Sequence, residues 1–96
     1  MGACDFRVKA KGKTAKEAFK NAVDEARYNY GHGGYTGSIA EKNEFKMIHV
    51  PEGMDPYEYV GVLIENDDKR IADKWGPAGC IKIRDDEYLF FGYASS

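Results

Sequence analysis

From Cys4 to Lys11 the chain alternates without a fault: Cys4, Phe6, Val8 and Ala10 are apolar, while Asp5, Arg7, Lys9 and Lys11 are charged. A period of two is the pattern of a strand with one face buried. Gly12 ends the strand, and the pattern then turns helical. Thr14 opens a capping box: its hydroxyl is placed to accept the Glu17 N–H, and the Glu17 side chain can reach back. Ala15, Ala18, Phe19, Ala22, Val23, Ala26 and Tyr30 follow at helical spacing, and Gly31 supplies a left-handed cap, which predicts a helix over 15–30. Its inner face is mostly alanine, so it can lie close against a sheet.

The remaining elements follow the same two periods. Thr36 to Ala40 reads as a short strand and Phe45 to Val50 as a second, the two paired as a hairpin around the polar turn Glu41-Lys42-Asn43-Glu44. Asp55-Pro56-Tyr57-Glu58 is a helix start, with Asp at the N-cap and Pro at the first position. Val60, Leu63 and Ile64 continue a helical stripe, although β-branched residues and Gly61 leave a strand as the competing reading. Asp67 and Asp68 can cap a further turn or two, with Ile71, Ala72 and Trp75 inward, until Gly76-Pro77 stops it. Cys80 to Arg84 is a strand, Asp85-Asp86-Glu87 a turn and Tyr88 to Ala94 the last strand. Apolar residues of that last strand point to both faces. It is either a central strand covered on both sides or an edge used by a partner, and self-association through it is expected. The expected fold is α+β: a four- to five-stranded, mostly antiparallel sheet with two helices packed on one face.

Hydrophobic residues make up 43% and charged residues 31% of the 96, with seven Tyr, five Phe and one Trp. That apolar share supports one folded domain over 1–96. A net charge of −2 gives no general attraction to nucleic acid. The local run Arg7, Lys9, Lys11 and Lys13 reads as a solvated strand face, so nucleic acid is not an expected partner. Apolar runs are far too short for a membrane span. Cys4 and Cys80 form no CxxC pair and no signal peptide precedes them, so free thiols buried in strands and a cytoplasmic location are expected. The start Met1-Gly2-Ala3-Cys4 lacks the Ser or Thr at position six that myristoylation requires; Phe6 stands there.

No stretch carries a catalytic or metal-binding signature. Gly12-Lys13-Thr14 lies between strand and helix as a phosphate loop does, but that pattern needs glycine where Arg7 stands. His32, His49, Cys4 and Cys80 show no local ligand spacing, so neither metal nor cofactor is expected. Asp85, Asp86 and Glu87 read as a solvated turn.

The anomaly is the segment Gly31-His32-Gly33-Gly34-Tyr35-Thr36-Gly37-Ser38, with four glycines in its first seven residues. It follows a helix instead of a strand and lacks the GxGxxG spacing, so a dinucleotide fold is excluded. A helix cap needs one glycine; each further one loses backbone entropy unless another group must approach the chain closely. The ordinary reading is a cap followed by an irregular crossover with Tyr35 packed inward. The functional reading makes Gly31, His32, Gly33, Gly34, Tyr35, Thr36, Gly37 and Ser38 a contact surface for a partner protein or a small phosphorylated or nucleotide ligand. Trp75 either anchors the core or lines a pocket beside that segment.

The segments Gly31–Ile39, Lys74-Trp75-Gly76-Pro77-Ala78-Gly79 and Phe90-Phe91-Gly92-Tyr93-Ala94-Ser95 resemble those of small bacterial and phage or prophage proteins. The resemblance implies no activity; it implies a phage accessory role, such as interference with a host system by binding a protein or a nucleotide signal. A non-catalytic binding module is therefore the expected class. The alternative is a small enzyme with His32 as general acid–base and Thr36, Ser38 or Tyr35 beside it.

Overall fold

The computed structural model describes residues 3–30, 39–72 and 76–95, apart from the side chains at positions 3, 4, 29, 30, 41 and 95. In chain order the elements are strand β1 (Ala3–Lys11), helix α1 (Ala15–Tyr30), a 3-10 turn (Ile39–Glu41), strand β2 (Phe45–Met47), helix α2 (Pro56–Glu65), strand β3 (Ala78–Arg84) and strand β4 (Glu87–Ser95). The four strands form one sheet in the order β1-β4-β3-β2. β4 pairs antiparallel with both neighbours, and β2 pairs parallel with β3. The expected α+β fold, with a mostly antiparallel four-stranded sheet and two helices, is what forms.

Local chemistry sets the element boundaries. The Glu17 N–H donates to Thr14 Oγ1 at 3.1 Å, and the Lys13 N–H donates to Glu17 Oε1 at 3.4 Å. These two bonds open α1. Gly12 lies directly beneath this first turn, where a Cβ would collide with the Ala18 backbone N and stand 2.9 Å from Ala18 Cα. The strand-to-helix joint is therefore open only to glycine. Asp55 caps α2, accepting the Glu58 N–H at 3.2 Å, with Pro56 at the first position. The cap decides for helix over the competing strand reading.

The two helices cover opposite faces of the sheet. Ala18, Ala22, Val23 and Ala26 of α1 pack with Phe6, Ala78, Cys80, Tyr88, Phe90 and Ala94. Val60 and Leu63 of α2 pack with Ile48, Ile71, Ile81, Leu89 and Phe91. Packing of both helices on one face, expected from the sequence, is thus corrected. The reason lies in β4, where Tyr88 and Phe90 point toward α1 while Leu89 and Phe91 point toward α2. Both Phe90 and Phe91 are 0% exposed, which one covered face cannot provide. The same geometry answers the two readings of the last strand. β4 is hydrogen-bonded along both edges and covered on both faces, so it is not a surface for self-association.

A second correction concerns the hairpin expected between 36–40 and 45–50. Ile39 to Glu41 is a 3-10 turn, with Lys42 N donating to Ile39 O at 2.9 Å, and residues 36–38 lie outside the described residues. β2 spans only Phe45 to Met47 and pairs with β3 across α2, which makes a β-α-β crossover. The turn expected after α2 does form: Ile71 and Ala72 donate to the Asp68 carbonyl, and Ile71 is buried while Ala72 is exposed. In β4, Gly92 takes φ +148°, which L side chains rarely adopt, directly opposite Phe6 of β1.

Candidate functional site

Gly31, His32, Gly33, Gly34, Tyr35, Thr36, Gly37, Ser38 and Trp75 all lie outside the described residues. The residues that bracket them are described, and they converge. Lys42 stands four positions after Ser38 and is 3% exposed, the one buried charged side chain among the described residues. Its Nζ donates to the carbonyl of Gly76 at 2.9 Å, and Gly76 directly follows Trp75. Next along the chain, Ala78 N donates to Glu44 O at 3.0 Å and Phe45 pairs with Ala78. The two stretches singled out in the sequence are therefore flanked by chain segments that lie side by side. A buried ammonium on a backbone carbonyl is a specific tie, because unpaired burial of that charge is strongly disfavoured.

The same Lys42-Asn43 segment forms one wall of an open groove of about 630 Å³. The other wall is the flank of α1 that carries Thr14, Lys16, Phe19, Lys20, Val23 and Arg27. Helical spacing explains this flank: Phe19 and Val23 extend the apolar stripe beyond the alanines, and Lys16, Lys20 and Arg27 follow at its outer border. Beneath Phe19 lies an aromatic triad, with Phe19 5.1 Å from Phe45 and 5.5 Å from Phe90, and Phe45 5.7 Å from Phe90. The floor is thus apolar and braced by the sheet. Four cationic side chains, those of Lys16, Lys20, Arg27 and Lys42, stand against the carboxylates of Glu17 and Asp24. Lys20 is bound to Asp24 at 2.9 Å on the exposed surface, a pair of small energetic worth.

The start of α1 is served largely by its own groups, since the Glu17 carboxylate occupies the N-terminal end. The phosphate-loop resemblance at Gly12-Lys13-Thr14 therefore carries no chemistry, and Arg7 sits in β1 instead of in a loop. The Cys80 thiol is free and fully buried, and burial pushes it up to about 12, so it stays protonated and unreactive at neutral pH. The backbone of Cys4 lies in β1, and its side chain is outside the described residues. His49 is exposed at the β2 end. Among the described residues no three His, Cys, Asp or Glu side chains come together as metal ligands. No described helix is long and apolar enough to cross a membrane.

Beyond the groove, a polar cluster closes the far end of α2. Arg70 donates to both oxygens of Asp68 at 2.9 and 3.0 Å, and these hydrogen bonds hold the Asp68 carboxyl down at about 2. The Tyr93 hydroxyl donates to Ile64 O at 2.6 Å, and burial followed by Asp67 raises its pKa. These groups tie α2 and its following turn to β4.

Sequence reasoning passed over Lys42, which sits in a run of polar residues that reads as a solvated turn. Nothing in a one-dimensional charge pattern separates a buried lysine from its exposed neighbours. For the groove a signal existed, because Phe19 and Val23 widen the apolar face of α1 past the alanine stripe. Comparison with known proteins gives no match: no family model, no curated protein and no solved structure matches the chain.

Proposed function

We propose that this domain is a binding protein whose contact surface joins the Gly-rich segment 31–38 to the groove along α1, and that it holds a partner protein or a small phosphorylated ligand. The observation that carries the reading is the groove itself. One wall, Lys42-Asn43, continues the chain that leaves the Gly-rich segment, and the Lys42–Gly76 bond draws the flank of Trp75 to the same place. An apolar floor with a cationic rim suits a ligand that has both an apolar body and an anionic group. Interference with a host system, which the resemblance to phage proteins implies, needs only such a surface and no chemistry of its own.

Native mass spectrometry of freshly purified protein tests the reading through the double substitution Lys16→Glu and Arg27→Glu. Both side chains are exposed, so the thermal midpoint should move by no more than about 2 °C. A retained mass that the wild type carries and the double variant loses supports the groove. A retained mass carried equally by both proteins places binding elsewhere and overturns the reading. If no small mass is retained, crosslinked partners of the two proteins are compared in the same way, and equal capture overturns it.

A further inference from the structure

Lys16 and Arg27 stand eleven positions apart on the groove wall that α1 supplies. Eleven residues make three helical turns, so the two side chains lie on nearly one line of the helix, about 16 Å apart. Val23 falls on the same line. Phe19 lies between that line and the sheet, where its ring meets those of Phe45 and Phe90. The charges of this wall are not all equally committed. Lys20 is bound to Asp24 at 2.9 Å, and the Glu17 carboxylate takes the Lys13 N–H at the start of α1. Both acids of the wall are thereby engaged. Across the groove, Lys42 lies buried with its Nζ on the Gly76 carbonyl. Lys16 and Arg27 are exposed and have no partner among the described residues. The groove is thus an apolar trough about three helical turns long, with one uncommitted cation at each end.

We infer, on the reading of this groove as the contact surface, that its occupant is an amphipathic helix of a partner protein, with an apolar stripe between two acidic residues about three turns apart. Charge complementarity selects it. A small ligand with one anionic head group meets one of the two cations and leaves the other beside its apolar body. A helix laid along α1 offers apolar residues at three- and four-residue spacing to Phe19 and Val23, and a carboxylate to each of Lys16 and Arg27. Because one wall of the groove is itself a helix, side-chain ridges of the occupant can seat against the ridges of α1 along the whole length. The apolar stripe supplies the burial, and the two end charges fix the position of the occupant along the groove.

A display selection against the immobilised wild type, from random peptides of about four helical turns, tests this. The enriched peptides are expected to carry an apolar stripe of helical period with Asp or Glu about eleven positions apart. Circular dichroism should show them gaining helix on binding. Titration calorimetry should find their affinity lowered roughly tenfold or more by Lys16→Glu with Arg27→Glu. Replacing the two peptide acids by lysine should restore binding to that double variant, which separates charge pairing from damage to the fold. Enriched peptides that are neutral or basic, or that stay non-helical when bound, overturn the inference; if the double variant still rejects them, the groove remains the contact surface. Peptides that bind the double variant as well as the wild type overturn both. A selection that enriches no peptide overturns the helix and leaves the groove to a small ligand.

Discussion

The two faces of the sheet are built on different terms. Toward α1 the helix brings three buried alanines, Ala18, Ala22 and Ala26, and Gly12 lets the backbones approach until a single methyl group will not fit. Toward α2 the contact is made by branched aliphatics, Val60 and Leu63 against Ile48, Ile71, Ile81 and Leu89. That helix has 10 residues against the 16 of α1, and its far end is tied down by Tyr93 on the Ile64 carbonyl and by the Asp68–Arg70 pair. One face gains from close approach and fails when a side chain grows. The other gains from bulk and fails when a side chain shrinks. β4 serves both, which is why its apolar residues run without alternation.

That contrast yields tests in descending size. Phe90→Ala and Phe91→Ala should each destabilise by about 3–5 kcal/mol in urea unfolding, because each ring fills a covered face. A Phe91→Ala cost below about 1 kcal/mol would mean that α2 does not cover its face. Next come two glycines whose neighbourhoods differ. Gly12→Ala should cost about 2–3 kcal/mol, since the added methyl meets helix backbone that cannot yield. Gly61→Ala, in the middle of α2 with open space around the added methyl, should instead stabilise by about 0.5–1 kcal/mol through helix propensity. Opposite signs from the same chemical change would separate the close joint at α1 from the looser fit of α2. Two losses of equal size would erase the distinction.

Much of this was legible along the chain, for local reasons. β1, α1, β3 and β4 each announce themselves by period, and the Asp55-Pro56 cap prevailed over the β-branched run in α2. What was illegible is non-local. A three-residue strand that pairs in parallel across α2 leaves no signature at its own position, so Phe45 to Met47 was matched with its sequence neighbour instead of with β3. The side of the sheet taken by α2 depends on that crossover and was missed with it. At the candidate site the Gly-rich segment is conspicuous from composition alone. The tie between Lys42 and Gly76 is invisible, since two residues 34 positions apart reveal no bond until the sheet has formed.

The placement of β4 between two covered faces is tested most directly by amide hydrogen exchange on dilute protein. The amides of Leu89, Phe90 and Phe91 should be among the slowest in the chain, exchanging only through global unfolding, while the outward amides of Arg7 and Lys9 exchange orders of magnitude faster. Amides of Leu89 to Phe91 that exchange as fast as those of Arg7 and Lys9 would contradict a central, doubly covered β4 and the opposed helices with it.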